Sequence, residues 1–183
     1  MTDIVERALI FATAAHAAVK QVRKYTGEPY INHPVEVCEI LTLYAVNPVS
    51  EEQRAAALLH DVVEDTGVTI QTIELMFGTK VAELVAGLTD VSKPEDGNRK
   101  VRKAIDRAHT AQSSPETKSV KLADLISNTR TIVEFDPDFA RVYLREKAAL
   151  LEVMKDADPG LLAEAHRTLK QALTSPVFRW TRG

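Results

Sequence analysis

Apolar positions recur at helical spacing along almost the whole chain. Ile4, Ala8, Phe11, Ala12 and Ala15 fall at i, i+4, i+7, i+8 and i+11, which is one face of a helix. Val35, Cys38, Ile40 and Leu41 form a second stripe, and Pro34 at its start suits a first turn, where its missing N–H costs nothing. A third segment runs from Glu51 to about Asp65 through Ala55, Leu58, Leu59 and Val62, with Gly67 as its terminator. Thr69 to Phe77 reads as a short helix closed by Gly78, and Val81, Leu84, Val85 and Leu88 continue in helical register. Ser92 to Asn98, with Pro94 and Gly97, is the clearest loop. Ser114-Pro115, Asp136-Pro137 and Asp158-Pro159 each pair a capping side chain with a proline at the first helical position, so each begins a helix. The stretch after Pro176 is too short to assign. No hairpin signal separates two alternating runs, and no heptad is sustained. The pattern predicts an all-α protein, a compact bundle of about eight short helices forming one domain over residues 1–183.

Composition narrows this picture without giving it chemistry. Apolar residues make up 45% and charged residues 27%, as in ordinary globular proteins, so disorder is excluded. The net charge of −3 excludes a global basic field for nucleic acid. No apolar run approaches the roughly 20 residues that span a bilayer, and the N-terminus has no basic leader pattern. Cys38 is the single cysteine, so no intrachain disulfide forms. The expectation is a cytoplasmic protein with no nucleic-acid or membrane partner, its oligomeric state open.

The densest ionisable cluster is His60-Asp61-Val62-Val63-Glu64-Asp65, directly after five apolar residues. On a helix, His60 and Glu64 share a face, with Asp61 and Asp65 beside them. Three carboxylates so close repel one another unless a cation or proton compensates. Asp124 interrupts the apolar face of its own helix, and Asn128 lies one turn on. A buried Asp and Asn at that spacing need partners. His33, before a helix, completes a mixed N/O set of His33, His60, Asp61 and Asp124. Such a set suits Mn²⁺, with Fe²⁺, Zn²⁺ or Mg²⁺ as alternatives, and lacks the thiolates of structural zinc. Glu64 and Asp65 are then spare carboxylates, placed to orient an attacking water or take its proton.

These residues resemble the signature of HD-domain metal-dependent phosphohydrolases. The stretches Gly27–Pro34, Ala56–Thr66 and Lys121–Asp124, with Arg23-Lys24 upstream, are similar to the hydrolase half of the RelA/SpoT alarmone enzymes over most of residues 5–155. Within that family, 183 residues fit the stand-alone small alarmone hydrolases, with degradation and no synthesis expected. The resemblance implies Mn²⁺-dependent removal of the 3′-pyrophosphate from (p)ppGpp. It implies that His33, His60, Asp61 and Asp124 hold the metal and that Glu64 and Asp65 assist the water. It also implies that Arg23, Lys24, Asn128, Thr131 and Tyr143 contact the nucleotide. Adenine alarmones stay open as substrates. The alternative is another HD-domain nucleotide phosphohydrolase, a nucleotidase or an NADPH phosphatase. The run Arg99, Lys100, Arg102, Lys103 and Arg107 reads first as a solvated helix face, with a phosphate clamp as the alternative.

Overall fold

The computed structural model describes residues 3–175; the tail after Pro176 lies outside the described residues. It is all-α, with ten α-helices and no strand among the described residues. The helices are α1 (Ile4–Ala18), α2 (Asn32–Tyr44), α3 (Glu51–Leu59), α4 (Val62–Thr66) and α5 (Ile70–Phe77). They continue with α6 (Thr79–Leu88), α7 (Arg99–Gln112), α8 (Pro115–Phe135), α9 (Pro137–Leu151) and α10 (Pro159–Thr174). None of the described helices is long and apolar enough to cross a membrane.

Local chemistry sets most of these boundaries. Ser50 caps α3 in a capping box with Gln53. Ser114, Asp136 and Asp158 accept hydrogen bonds from the first turns of α8, α9 and α10, each with proline following. Gly67 ends α4 in the left-handed region at φ 77°, which glycine adopts without cost. The structure departs from the expected pattern at one place. The segment from Glu51 to Asp65, continuous in apolar spacing, divides into α3 and α4 at His60 and Asp61. That break is the main reason the helices outnumber the eight anticipated.

Two helices form the interior. α3 packs against α1, α2, α6 and α8, and its run Ala55-Ala56-Ala57-Leu58-Leu59 is buried all round. Small alanines let four neighbours approach closely. α8 packs against α2, α3, α6, α9 and α10 and is buried along most of its first four turns. Leu41, Leu59, Leu84 and Leu122 are fully buried between these helices. Each contributes about 1.5–3 kcal/mol of burial.

Asp158 clamps one end of the bundle. Its carboxylate accepts from the backbone N–H groups of Val46, Asn47, Gly160 and Leu161 and from the Asn47 amide. This draws the loop after α2 onto the start of α10. A Cβ on Gly160 would overlap the Tyr44 carbonyl oxygen. Gly160→Ala therefore destabilises the fold by on the order of 1–3 kcal/mol, through a lowered urea midpoint at unchanged slope. An unchanged midpoint would show that the clamp yields freely.

Candidate metal centre and cavity

The α3–α4 break aims consecutive side chains inward. His60 and Asp61 both have right-handed backbone angles but interrupt the helix, and they face His33 from α2 and Asp124 from α8. His33 Nε2 lies 3.1 Å from Asp124 Oδ1 and 3.7 Å from Asp61 Oδ2. His60 Nε2 lies 3.0 Å from Asp61 Oδ2 and 3.7 Å from Asp124 Oδ1. His33, His60 and Asp61 offer ligand atoms that all lie within 4.8 Å of one another. The four residues named from the sequence are therefore brought together, with both imidazoles almost wholly buried.

The hydrogen bonds around the imidazoles decide what their inner nitrogens can do. His60 Nδ1 lies 2.8 Å from the Ala57 carbonyl oxygen, which can only accept. Nδ1 therefore carries the proton, and in the neutral ring Nε2 presents a lone pair. Ser127 Oγ donates its one proton to Glu36 at 2.8 Å, so at 3.1 Å it accepts from His33 Nδ1. In the neutral ring His33 Nε2 is then a lone pair too; with both ring nitrogens protonated it donates to Asp124 at 3.1 Å. Two lone pairs converge on carboxylate oxygens, and His60 Nε2 is buried without a hydrogen-bond partner. An orphaned buried acceptor facing carboxylates is electrostatically unfavourable unless a cation or protons compensate. Without a cation, protonation compensates: despite burial, Asp61 and Asp124 hold the His60 imidazolium well above its ordinary pKa. Burial likewise opposes the Asp124 carboxylate, but His33 and His60 outweigh it and hold Asp124 well below the usual range. The donor set fits a divalent ion of borderline or hard character.

Further partners fix the carboxylates. Tyr30 donates its hydroxyl to Asp61 at 2.6 Å, and burial followed by the Asp61 charge pushes the phenol pKa up. Asn128 donates to Asp124 at 2.6 Å. Tyr30, Ser127 and Glu36 carry no sequence signal of this role, because their partners lie 31 to 94 residues away.

The cluster opens into a cavity of about 350 Å³. Glu64 lines it, as do Asn128 and Tyr143. Glu64 is exposed as a residue, yet its carboxylate is desolvated by the surrounding protein, which pushes its pKa up to about 7. The N–H of Asp90, which Glu64 accepts at 2.6 Å, works against that shift. Asp65 is not among the lining residues; it accepts from Gln21 at 2.8 Å, close enough for its charge to act on Tyr30, the donor to Asp61. Arg23 reaches Thr131 at 3.1 Å, three residues along α8 from Asn128. Lys24 sits at the rim, exposed, 3.4 Å from Asp136 and 5.9 Å from the Phe139 ring centre.

The basic run on α7 divides: Lys100 and Arg102 do not line the cavity, whereas Arg99, Lys103 and Arg107 do. They fall at i, i+4 and i+8, one helical stripe, a signal present in the sequence. Lys121 joins them from α8, one turn before Asp124. Arg99 is paired with Glu146 through two bonds of 2.7 and 2.8 Å, and its guanidinium covers Phe139 at 5.1 Å. The cavity thus has a metal-type cluster on one side and a cationic, partly aromatic wall on the other.

Comparison with known proteins agrees with this arrangement. A family model described as HD domain matches residues 8–150. The chain is 44% identical to mouse guanosine-3′,5′-bis(diphosphate) 3′-pyrophosphohydrolase MESH1, over 68% of each chain. It is 39% identical over 76% of its length to the bifunctional (p)ppGpp synthase/hydrolase SpoT of Escherichia coli, and there it spans only 20% of the longer protein. A probable pyrophosphohydrolase of the same class from Synechocystis is matched likewise, over 18% of its length. Among solved structures, a metazoan orthologue of SpoT described as hydrolysing ppGpp superposes with a TM-score of 0.81 at 29% identity, covering 93% of this chain and 96% of that one.

Proposed function

The chain belongs to the HD-domain family, and we propose that it is a divalent-metal-dependent hydrolase that removes the 3′-pyrophosphate from (p)ppGpp. The observation that carries this reading is the convergence of the His33 and His60 Nε2 atoms with Asp61 and Asp124 at the edge of a cation-lined cavity. The likeness to MESH1 over two thirds of both chains supports the substrate. His33, His60, Asp61 and Asp124 would hold the ion; the mixed donor set suits several borderline or hard divalent ions, and the family resemblance points to Mn²⁺ among them. Bound there, a divalent cation supplies charge neutralisation to the phosphoryl oxygens.

The remaining steps fall to the protein's own groups. Glu64 takes a proton from the attacking water, whose oxygen bonds to the phosphorus nearest the ribose. The bond from that phosphorus to the 3′ oxygen breaks, the 3′ oxygen takes up the proton that Glu64 removed, and pyrophosphate and GDP are the products. Asp65, anchored by Gln21, is assigned to orient the same water. Arg99, Lys103, Arg107 and Lys121 offset the charge of the phosphates. Asn128 and Tyr143 flank the nucleoside from α8 and α9, and Arg23, Lys24 and Thr131 meet it at the rim. Phe139, covered by Arg99, supports the same placement by offering an aromatic face beside them.

A product-resolved assay with Mn²⁺ tests the reading. Guanine and adenine alarmones, NADPH and nucleoside monophosphates are supplied in parallel. Release of pyrophosphate from ppGpp, with GDP as the second product, is expected. Cleavage of a monophosphate or of NADPH, with every alarmone untouched across a range of divalent ions, would overturn it.

A further inference from the structure

Lys147 on α9 is the largest fully buried side chain among the described residues, 1% exposed. Its Nζ donates to Thr129 Oγ1 at 2.7 Å and to the Leu125 carbonyl at 3.4 Å. Thr129 donates its own proton to that same carbonyl at 2.6 Å, so both of the lysine's acceptors are neutral. An ammonium has three donors, and one is left over. The carboxylates nearby are engaged by others. Glu164 on α10 is paired with Arg130 and Arg167, and Asp124 with His33 and Asn128. Of the other cations of the cavity wall, Arg99 is matched by Glu146 at 2.7 Å, Lys103 by Asp90 at 2.6 Å and Lys121 by Asp90 at 3.8 Å; Arg107 has no such partner among the described residues but is only half-buried, so water solvates it. Lys147 has no carboxylate within ion-pair distance among the described residues, yet it lines the same cavity.

We infer that Lys147 is a specificity-determining residue whose ammonium binds a phosphoryl oxygen of the nucleotide held in the cavity. The inference rests on the nucleotide reading above. A buried cation with only neutral acceptors is poorly solvated, and an anionic oxygen supplies both the missing acceptor and the missing charge. A base carbonyl would supply only the first. Burial draws the Lys147 pKa down to about 7, against the pull of the Asp124 and Glu164 charges. A phosphate bound beside it would favour the charged form.

The test compares the wild type with Lys147→Met, which keeps the buried volume and removes the charge. Inhibition of Mn²⁺-supported ppGpp turnover is measured with GDP, with inorganic pyrophosphate and with guanosine. The inhibition constant for GDP or for pyrophosphate is expected to rise about tenfold or more, while that for guanosine stays within about twofold. A rise for GDP assigns the contact to the 5′ group, and a rise for pyrophosphate assigns it to the 3′ group. If neither rises, or if all three rise together as a distorted cavity would cause, the inference is overturned. Lys147→Gln, whose amide still donates to Thr129, carries the same comparison if the methionine variant does not fold. Should the wild type fail to cleave ppGpp, the nucleotide reading falls separately. Calorimetric titration of GDP and pyrophosphate into both proteins then still decides the role of Lys147.

Discussion

Asp61→Ala is expected to lower turnover of ppGpp by at least about 10³-fold, since a metal's charge stabilisation is worth several kcal/mol and about 4 kcal/mol is a thousandfold. The variant should also fail to take up a stoichiometric divalent ion. Asp61 faces both imidazoles, 3.0 Å from His60 Nε2 and 3.7 Å from His33 Nε2, and removing it breaks the three-residue cluster. A second readout separates loss of the ion from loss of the fold. A ligand that binds only the folded state raises Tm with its concentration, so added Mn²⁺ should raise the wild-type Tm and leave that of Asp61→Ala unmoved. The metal-free variant loses the carboxylate that holds the His60 imidazolium together with the acceptor of Tyr30, and both losses destabilise. Its Tm without metal should therefore fall, while a cooperative melt shows that the fold is kept. A variant that still binds the ion at full stoichiometry and keeps its Tm response would remove Asp61 from the metal set.

The site and the fold were legible to different depths, and the reasons are physical. Starts of α8, α9 and α10 could be read because capping is local: Ser114, Asp136 and Asp158 bond to backbone two or three residues on. Asp124 stood out because it interrupts an apolar face, His60 and Asp61 because they close an apolar run, and His33 only through the motif around it. The division of α3 from α4 was hidden, because apolar spacing runs through the break and only tertiary packing fixes it. The Ser127–Glu36 pair that orients His33 was hidden for a related reason. It joins residues 91 apart, and neither is unusual in its own helix. Lys147 was invisible too, since a lysine among the charges of an amphipathic helix looks solvated, and here the flanking α8 and α10 bury it. Periodicity places a residue on a face, but it does not say what covers that face.

Glu64→Gln is expected to lower kcat by about 10²–10⁴-fold, the usual worth of a positioned general base, while the ion is retained at full stoichiometry. The substitution isolates proton transfer. Glutamine's amide oxygen can still accept from the Asp90 N–H, so the side chain stays in place. The pH profile provides the sharper check. A base must be deprotonated to work, and desolvation pushes the Glu64 pKa up to about 7. A bound cation opposes that desolvation, so in the wild type kcat/KM should rise with pH along a limb above the ordinary carboxylate range and no higher than about 7. In Glu64→Gln this acid limb should vanish, leaving a low and flatter profile. Were the limb to persist unchanged in the variant, the titrating base would be another group. Asp65 is the next carboxylate in sequence, and Gln21→Leu, which frees it from its 2.8 Å bond, would then be the variant to shift the profile.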